Sequence, residues 1–325
     1  MGIIKNYIEK KKKGMEKLHV RKIIAYKVSN IAMSVFRFLL LLGLGYVILY
    51  PLLSMLSYAF NGDYLGNATF VWIPSKFSLT NIKVAITYLE YWDSLKNTIL
   101  LATVSAVLQI FSCSLAGYGF ARFNFKGKNL LFLIVLLTII VPPQTYIIST
   151  YLDFRFFNFF GIGKLFGFKV NLINSFWTFW IPSIFSMGLR SGLFIYIFRQ
   201  FFQGLPRDLE DAAYIDGCGA FKTFLQIMLP NAASACLTVF LFSFVWHWND
   251  YFVSNMMFQI KNEPLSVVMF RQADFSRGKG PVGIDWNMKY MLNAAVLLNI
   301  LPILVLYVVA QRYFIESIAN VGIKG

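Results

Sequence analysis

Long apolar segments alternate with short polar ones along the whole chain. Six apolar segments are long enough to cross the hydrocarbon core of a membrane, which takes about 20 apolar residues per helix. They are residues 38–60, 98–118, 130–151, 172–198, 232–252 and 291–311. Stretches such as LLLLGLGYVILY do not alternate as barrel strands do, and backbone groups in lipid are paired within a helix. The pattern therefore predicts an all-α polytopic membrane protein with six transmembrane helices.

Composition agrees with a membrane protein and indicates its orientation. Of the 325 residues, 58% are hydrophobic and only 14% are charged, which excludes an ordinary soluble domain. If the N-terminus is inside, the cytoplasmic segments hold eighteen Lys and Arg residues and the outer loops hold eleven. The positive-inside rule therefore predicts that both termini are cytoplasmic. The net charge of +15 is explained by this topology, which disfavours a nucleic-acid-binding tail.

Cysteine and histidine are too sparse to suggest a disulfide framework or a metal site. The three cysteines follow no pairing pattern. The histidines, His19 and His247, are far apart, and we interpret His247 as an interfacial residue because Trp246 and Trp248 flank it. The predicted spans carry no cluster of acid, base or metal-ligand residues, so we expect no metal, no cofactor and no catalytic site in this chain.

A polar insert separates the fourth and fifth apolar segments and reads GLPRDLEDAAYIDGCGAFKTFLQIMLP over residues 204–230. Pro206 suits the first turn of a helix, and the acidic residues that follow favour the positive end of the helix dipole. Gly217 and the glycine two residues later interrupt this helix, and a second helix follows that Pro230 stops. We call this insert the 204–230 hairpin.

The hairpin also fits a longer motif: Glu-Ala-Ala, three residues, Gly, nine residues, Ile-x-Leu-Pro. Asp211-Ala212-Ala213, Gly217 and residues 227–230 meet every spacing, with Asp in place of Glu. At these residues the chain resembles the EAA loop of the membrane subunits of bacterial ATP-driven importers, and YIDGCGAF is most similar to the carbohydrate branch. In that family the loop sits in a cleft of a cytoplasmic ATPase subunit. The resemblance implies an ATPase-coupling role for Asp211, Ala212, Ala213, Asp216, Gly217, Leu229 and Pro230; the alternative is a plain surface hairpin joining two spans.

The resemblance continues from Asn97 to the C-terminus. The segments LAGYGFAR at 115–122, FKGK at 125–128, VPP at 141–143 and WND at 248–250 are similar to stretches of maltose-type permeases of the MetI-like family. The tail QRYFIESIANVGIKG also resembles that family, although Glu and Ser replace its usual Lys-Gly. The resemblance implies the MetI-like fold of type I ABC importer permeases.

The expected domain organisation follows from this resemblance and from the charge pattern. We expect a basic cytoplasmic N-terminal segment at residues 1–37 and a transmembrane permease domain at 38–325. Within that domain, the MetI-like core covers about 93–312, the coupling loop is 204–230, and a cytoplasmic tail covers 312–325.

The resemblance implies a permease subunit of an ATP-driven importer that moves a carbohydrate, above all an oligosaccharide, across the bacterial cytoplasmic membrane. The chain has no GxxxxGK[ST] loop, so ATP must be bound by another subunit. The implied partners are a second homologous permease forming a heterodimer, two ABC ATPase subunits, an extracytoplasmic solute-binding protein, the carbohydrate and membrane lipid. The alternatives are a permease for another polar solute, such as an acidic sugar or a peptide, and a membrane sensor that docks a cytoplasmic partner.

Small residues, prolines and one charge mark special points in the predicted spans. Gly117 and Gly119 favour close helix packing. Pro142 and Pro143 disturb the third span, either as a kink or by lining a cavity. Arg190 lies in the fourth span between two glycines, and a charge there faces a solute pathway, a partner helix or an interface. Because aromatic rings stack on sugars, the candidate pathway residues are Arg190, Trp177, Trp180, Trp246 and Asn249.

The segments outside the spans give weaker indications. Residues 20–33 fit either an amphipathic helix on anionic lipid or disorder, and the outer loop 61–96 is expected to hold a short helix. The outer loop 253–289 is long, and its basic residues could meet acidic residues of a binding protein. These basic residues are Arg271, Arg277 and Lys279.

Overall fold

The structure, a computed structural model, describes the backbone of residues 2–62, 74, 76–158, 170–275 and 288–322. Side chains are described for residues 26–62, 74, 76–158, 170–271 and 289–311. Within these ranges the chain is helical and contains no strand, apart from two isolated bridges. The predicted all-α architecture is confirmed.

The helices follow one another with short connections. They are α1 Gly2–Phe60, α2 Thr80–Tyr88, α3 Tyr91–Arg122, α4 Lys128–Ile140, α5 Ile147–Arg155, α6 Trp177–Ile184, α7 Ser191–Gly204, α8 Asp208–Ile215, α9 Ala220–Asn231, α10 Ala233–Asn249, α11 Phe252–Met257, α12 Leu265–Phe275 and α13 Met288–Gly322. A short 3-10 turn, Pro143–Thr145, precedes α5.

The number of predicted spans is not confirmed. Among the described residues, three helical segments are long and apolar enough to cross a membrane, or four if α9 and α10, which meet at a bend of 78°, count as one span. The predicted spans 130–151 and 172–198 are each divided between two shorter helices. Pro142 and Pro143 end α4 because proline lacks the N–H that a continuing helix needs.

The long helix α3 is the centre of the described core and packs against α6, α7 and α10. Gly117 lets α3 approach α7 closely, since a Cβ there would lie 2.6 Å from the Cβ of Phe198 and 2.9 Å from the backbone nitrogen of Arg199. The prediction of close packing is therefore confirmed at Gly117. It is wrong at Gly119, which has no neighbour within 4 Å of such a Cβ.

The first helix runs without a break from the basic N-terminal segment into the first span. α1 begins at Gly2, so the helix starts well before residue 38, where the first span was predicted to begin. The side chains before Tyr26 lie outside the described residues, as do those of the tail 312–325. From Tyr26 to Phe60 most apolar side chains of α1 are exposed in the single chain, and α1 contacts α2 and α13. Such a surface suits lipid or another subunit.

The two segments predicted as outer loops contain short helices where the structure describes them. The short helix expected between the first two spans is present as α2, and its buried Asn81 donates to the carbonyls of Ala59 and Asn61 at 3.2 and 2.8 Å, where α1 ends. In the segment predicted as the second of these loops, Arg271 pairs with Glu263 and donates to the Phe258 carbonyl at 3.2 Å. Arg271 is therefore engaged within this chain, and its expected contact with a binding protein stays a prediction. Arg277 and Lys279 lie outside the described residues.

Candidate functional site

The first helix of the 204–230 hairpin begins two residues later than predicted. Leu205 is extended, with φ −78° and ψ 143°, because the following proline disfavours the helical conformation in the residue before it. Pro206 thus precedes the helix instead of forming its first turn. Helix α8 carries Asp208, Glu210 and Asp211 in its first turn, where they favour the helix dipole.

Gly217 ends α8 in the way that its sequence position indicates. It has a φ of +78°, its N–H donates to the carbonyl of Tyr214 at 3.1 Å, and the N–H of Cys218 donates to Ala213 at 2.9 Å. This pair of hydrogen bonds is the Schellman arrangement, in which a left-handed residue satisfies the last carbonyls of a helix. The turn therefore depends on the left-handed conformation at Gly217.

The second helix of the hairpin differs from the prediction at its end. Helix α9 does not stop at Pro230 but continues to Asn231, and the 78° bend into α10 follows. A π-helical turn, Phe224–Met228, lies just before Leu229 and Pro230. Leu229 is half-buried and Pro230 is exposed. The prolyl residue is accommodated at the bend, where the regular hydrogen-bond ladder is already interrupted.

One face of the hairpin points away from the helical core. The side chains of Asp211 and Asp216 are exposed, Ala212 is exposed, and Ala213 is buried against the core. Ile215 stands close to them with 85% of its surface exposed. Asp211, Ala212 and Asp216 thus form a small acidic surface beside an exposed apolar side chain, which a partner protein can cover, whereas Ala213 belongs to the core.

The opposite face of α8 carries a buried contact that sequence analysis missed. Glu210 is buried, and its Oε1 accepts a hydrogen bond of 2.7 Å from the hydroxyl of Tyr118. Its Oε2 lies 3.0 Å from Nε of Arg122, and Arg122 also donates through Nη2 to the carbonyl of Leu205 at 2.8 Å. Tyr118 and Arg122 are one turn apart on α3, which is the only sequence signal for this pairing.

A second candidate site is a cavity of about 420 Å³ at the break between α6 and α7. Its polar and aromatic lining consists of Gln144, Arg190, Trp246, Asn249, Asp250 and Phe252, beside the broken third span at Pro142 and Pro143. Arg190 has a φ of +60°, precedes α7 and is exposed in the single chain. Its Cζ lies 5.6 Å from the ring centroid of Trp246. The structure therefore places Arg190, Trp246 and Asn249 together.

The loop that carries Arg190 is supported from behind by buried polar side chains. Gln109, fully buried on α3, donates from Nε2 to the Leu189 carbonyl and to the Ser191 hydroxyl, both at 2.9 Å. Ser243 of α10 donates to the other end of the same amide at 2.6 Å. Broken backbone at membrane depth needs such partners because no water satisfies its carbonyls. Sequence analysis did not identify this network.

Two further aromatic predictions have a different outcome. Trp177 and Trp180 lie 5.4 Å apart by ring centroids, in a cluster with Phe176, and they are not among the residues that line the cavity. The interpretation of His247 as an interfacial residue is wrong, since it is buried and its Nδ1 lies 2.8 Å from the Ser243 carbonyl. The ring of Phe179 on α6 lies against it, with the two ring centroids 6.0 Å apart.

Comparisons with known proteins give the family of the chain. It resembles an arabinooligosaccharides transport system permease protein of Halalkalibacterium halodurans, with 26% identity over 87% of this chain and 93% of the relative. It also resembles an alpha-glucoside transport system permease protein of Rhizobium meliloti, with 26% identity over 78% of this chain and 62% of the relative.

A crystal structure of a bacterial ABC transporter involved in the import of the acidic polysaccharide alginate shares the fold. The TM-score is 0.70 with 18% identity, over 88% of this chain and 98% of the other. The family model described as binding-protein-dependent transport system inner membrane component matches residues 110–318, which is more than half of the chain. The chain therefore belongs to the family of inner membrane components of binding-protein-dependent transport systems.

Proposed function

We propose that this chain is a permease subunit of an ATP-driven importer that moves a carbohydrate, above all an oligosaccharide, across the cytoplasmic membrane. The observation that carries the proposal is the 204–230 hairpin, whose Asp211 and Ala212 face outward from a well-anchored helix. The choice of a carbohydrate is supported by the names of relatives, which refer to arabinooligosaccharides, alpha-glucosides and starch degradation products.

In this proposal the chain performs no bond chemistry and binds no cofactor. ATP is bound and hydrolysed by two ABC subunits, each holding one coupling hairpin of a permease pair. The second permease is a homologous chain, and an extracytoplasmic binding protein delivers the solute. The outward-facing residues from Asp211 to Gly217, with Leu229 and Pro230, form the surface that meets the ATPase. Closure of the ATPases moves the hairpins and alternates access to the cavity between the permeases.

The cavity beside Arg190 is the part of the solute pathway that this chain supplies in our proposal. A guanidinium at membrane depth needs water, an opposite charge or a ligand. No ion pair of Arg190 is present among the described side chains, and its contact is the ring of Trp246. Arg190 and Asn249 could donate hydrogen bonds to sugar hydroxyls passing this ring. Trp177 and Trp180 remain candidates for a separate stretch of the pathway.

We expect Arg190→Leu to reduce solute uptake roughly tenfold or more, because hydrogen bonds from a charged donor contribute that much to binding. Leucine keeps the same unbranched Cβ, so the backbone strain at the positive φ is unchanged. Arg155→Leu, the same change at an exposed arginine beside Tyr151 and Phe156, is the matched control. Uptake is measured on complexes shown to be assembled by co-purification; equal uptake by the two variants would remove Arg190 from the pathway.

The proposal places both termini in the cytoplasm. In a variant without the natural cysteines, Ile260→Cys, exposed between α11 and α12, should react with an impermeant thiol reagent on intact cells. Lys126→Cys, in the exposed turn between α3 and α4, should react only after permeabilisation. Reaction of the cysteine at residue 126 from outside would contradict the topology.

Reconstitution tests the proposed function directly. The chain, its partner permease, the ATPase and the binding protein are placed in proteoliposomes, and uptake and ATP hydrolysis are measured with a panel of neutral oligosaccharides, uronic-acid oligosaccharides and peptides. We expect ATP hydrolysis to be stimulated and uptake to occur with neutral oligosaccharides. Stimulation by uronic-acid sugars alone, or by peptides alone, would show that the solute belongs to that class instead. Failure of the chain to associate with any ATPase would contradict the proposed function.

A further inference from the structure

We propose that Glu210 is the positioning residue that fastens the 204–230 hairpin to the membrane core, and that movement of the hairpin reaches α3 through the Glu210–Arg122 ion pair. The inference rests on the proposed function, because it assumes that the hairpin is moved by an ATPase. It concerns the face of α8 opposite to the coupling surface.

The geometry of the contact suits the transmission of force. The carboxylate of Glu210 is held by the Tyr118 hydroxyl at 2.7 Å and faces Nε of Arg122 at 3.0 Å. The Arg122 and Glu210 side chains are each only 8% exposed. The hydrogen bond from Tyr118 to the carboxylate is charge-assisted, and such bonds are shorter and stronger than neutral ones. The contact joins the last turn of the central helix to the first turn of α8.

Arg122 holds the hairpin at a second point as well. Its Nη2 donates to the carbonyl of Leu205 at 2.8 Å, just where α7 has ended. The guanidinium therefore bridges the entry to the hairpin and the start of α8. The planar, forked donor set of arginine allows both contacts at once, and a lysine would offer only a point charge.

Two neighbouring residues of α8 have different roles in this proposal: Asp211 lies on the surface that binds the ATPase, and Glu210 anchors the helix to α3. Successive residues of a helix point about 100° apart. Glu210 accordingly points into the core while Asp211 is exposed on the coupling surface. A partner that binds at Asp211 thus acts on a helix whose other side is fixed to α3. Loss of the Glu210–Arg122 ion pair should leave binding of the ATPase intact. Movement of the hairpin should then no longer reach the transmembrane helices.

The experiment compares Glu210→Gln with Asp208→Asn, which removes the same charge from an exposed position in the same turn of α8. We expect Glu210→Gln to retain the ATPase on co-purification. Solute-stimulated ATP hydrolysis and uptake should fall about tenfold, because Arg122 loses its buried partner. Amide hydrogen exchange over residues 208–216 should rise about tenfold, because the anchored state is less populated. Asp208→Asn should match the parent in every measurement.

Two further variants make the result specific to the ion pair. Tyr118→Phe removes only the hydroxyl and should produce a smaller loss, about two- to fivefold. The exchange of charges in Arg122→Glu with Glu210→Arg should recover part of the stimulated hydrolysis that Arg122→Glu alone loses. Stimulated hydrolysis by Glu210→Gln at the level of Asp208→Asn would overturn the inference, as would a charge exchange that recovers nothing.

Failure of the proposed function is distinguishable from failure of the anchor. If the parent shows no association with an ATPase and no uptake, the proposed function fails, whereas hydrogen exchange in the purified chain still reports on the anchor. If the parent transports and Glu210→Gln transports equally well, the proposed function stands and the anchor does not transmit movement.

Discussion

Gly217→Val is expected to abolish solute-stimulated ATP hydrolysis while the chain remains in the membrane. Gly217 closes α8 with a φ of +78°, and valine is poorly tolerated there because its branched Cβ clashes with its own backbone. The cost is about 1–3 kcal/mol of local strain. No atom lies within 4 Å of a Cβ built on Gly217, so the whole effect comes from the backbone of the turn and not from crowding. The hairpin should open and present Asp211 in the wrong place.

The controls for this substitution come from the turn itself. Gly217→Asn should retain most of the activity, because asparagine adopts the left-handed conformation more readily than other non-glycine residues. Gly219→Ala should resemble the parent, since Gly219 has a φ of −75° and open space around it. The measurements are ATPase co-purification and stimulated ATP hydrolysis. Parental values for Gly217→Val would show that the hairpin is not the coupling element.

Gly117→Ala is expected to cause a large loss of stability, because the added methyl group has no room between α3 and α7. The added Cβ would meet Phe198 and the backbone of Arg199 at 2.6 and 2.9 Å, so α3 and α7 must move apart. Overpacking of this kind costs about 1–3 kcal/mol. The displaced turn of α3 carries Tyr118 and Arg122, so the anchor of the hairpin should loosen as well.

Gly119→Ala is the matched control, because it adds the same methyl group two residues away where nothing lies within 4 Å. It should be neutral or slightly stabilising, since alanine favours a helix over glycine by up to about 1 kcal/mol. The thermal unfolding midpoint of the purified chain in detergent checks both variants. A midpoint for Gly117→Ala equal to that of Gly119→Ala would contradict the close approach of α3 and α7.

Local chemistry allowed some features to be predicted from the sequence alone. The turn at Gly217 and the break at Pro142–Pro143 follow from backbone rules that act over a few residues. The all-α class follows from the length of the apolar segments and the need to pair backbone groups in lipid. The exposed position of Asp211 was anticipated through the spacing of its motif. None of these inferences required knowledge of which helix packs on which.

Features that depend on contacts between distant segments had no such signal. Gln109 lies in an apolar run of α3, and only packing against α7 and α10 shows that its amide supports the Arg190 loop. His247 was predicted to be interfacial because two tryptophans flank it, yet it is buried on α10 with Phe179 of α6 against its ring.

The sequence by itself determined the helical membrane class, the position of the hairpin and the glycine that turns it. Tertiary structure alone decided that Glu210 faces inward while its neighbour Asp211 faces outward. Both are acidic and both suit the first turn of α8, so local propensity does not separate them. The orientation of α8 about its own axis decides which of the two faces the core. Only one of two adjacent helical positions can reach the buried pair of Tyr118 and Arg122 on α3.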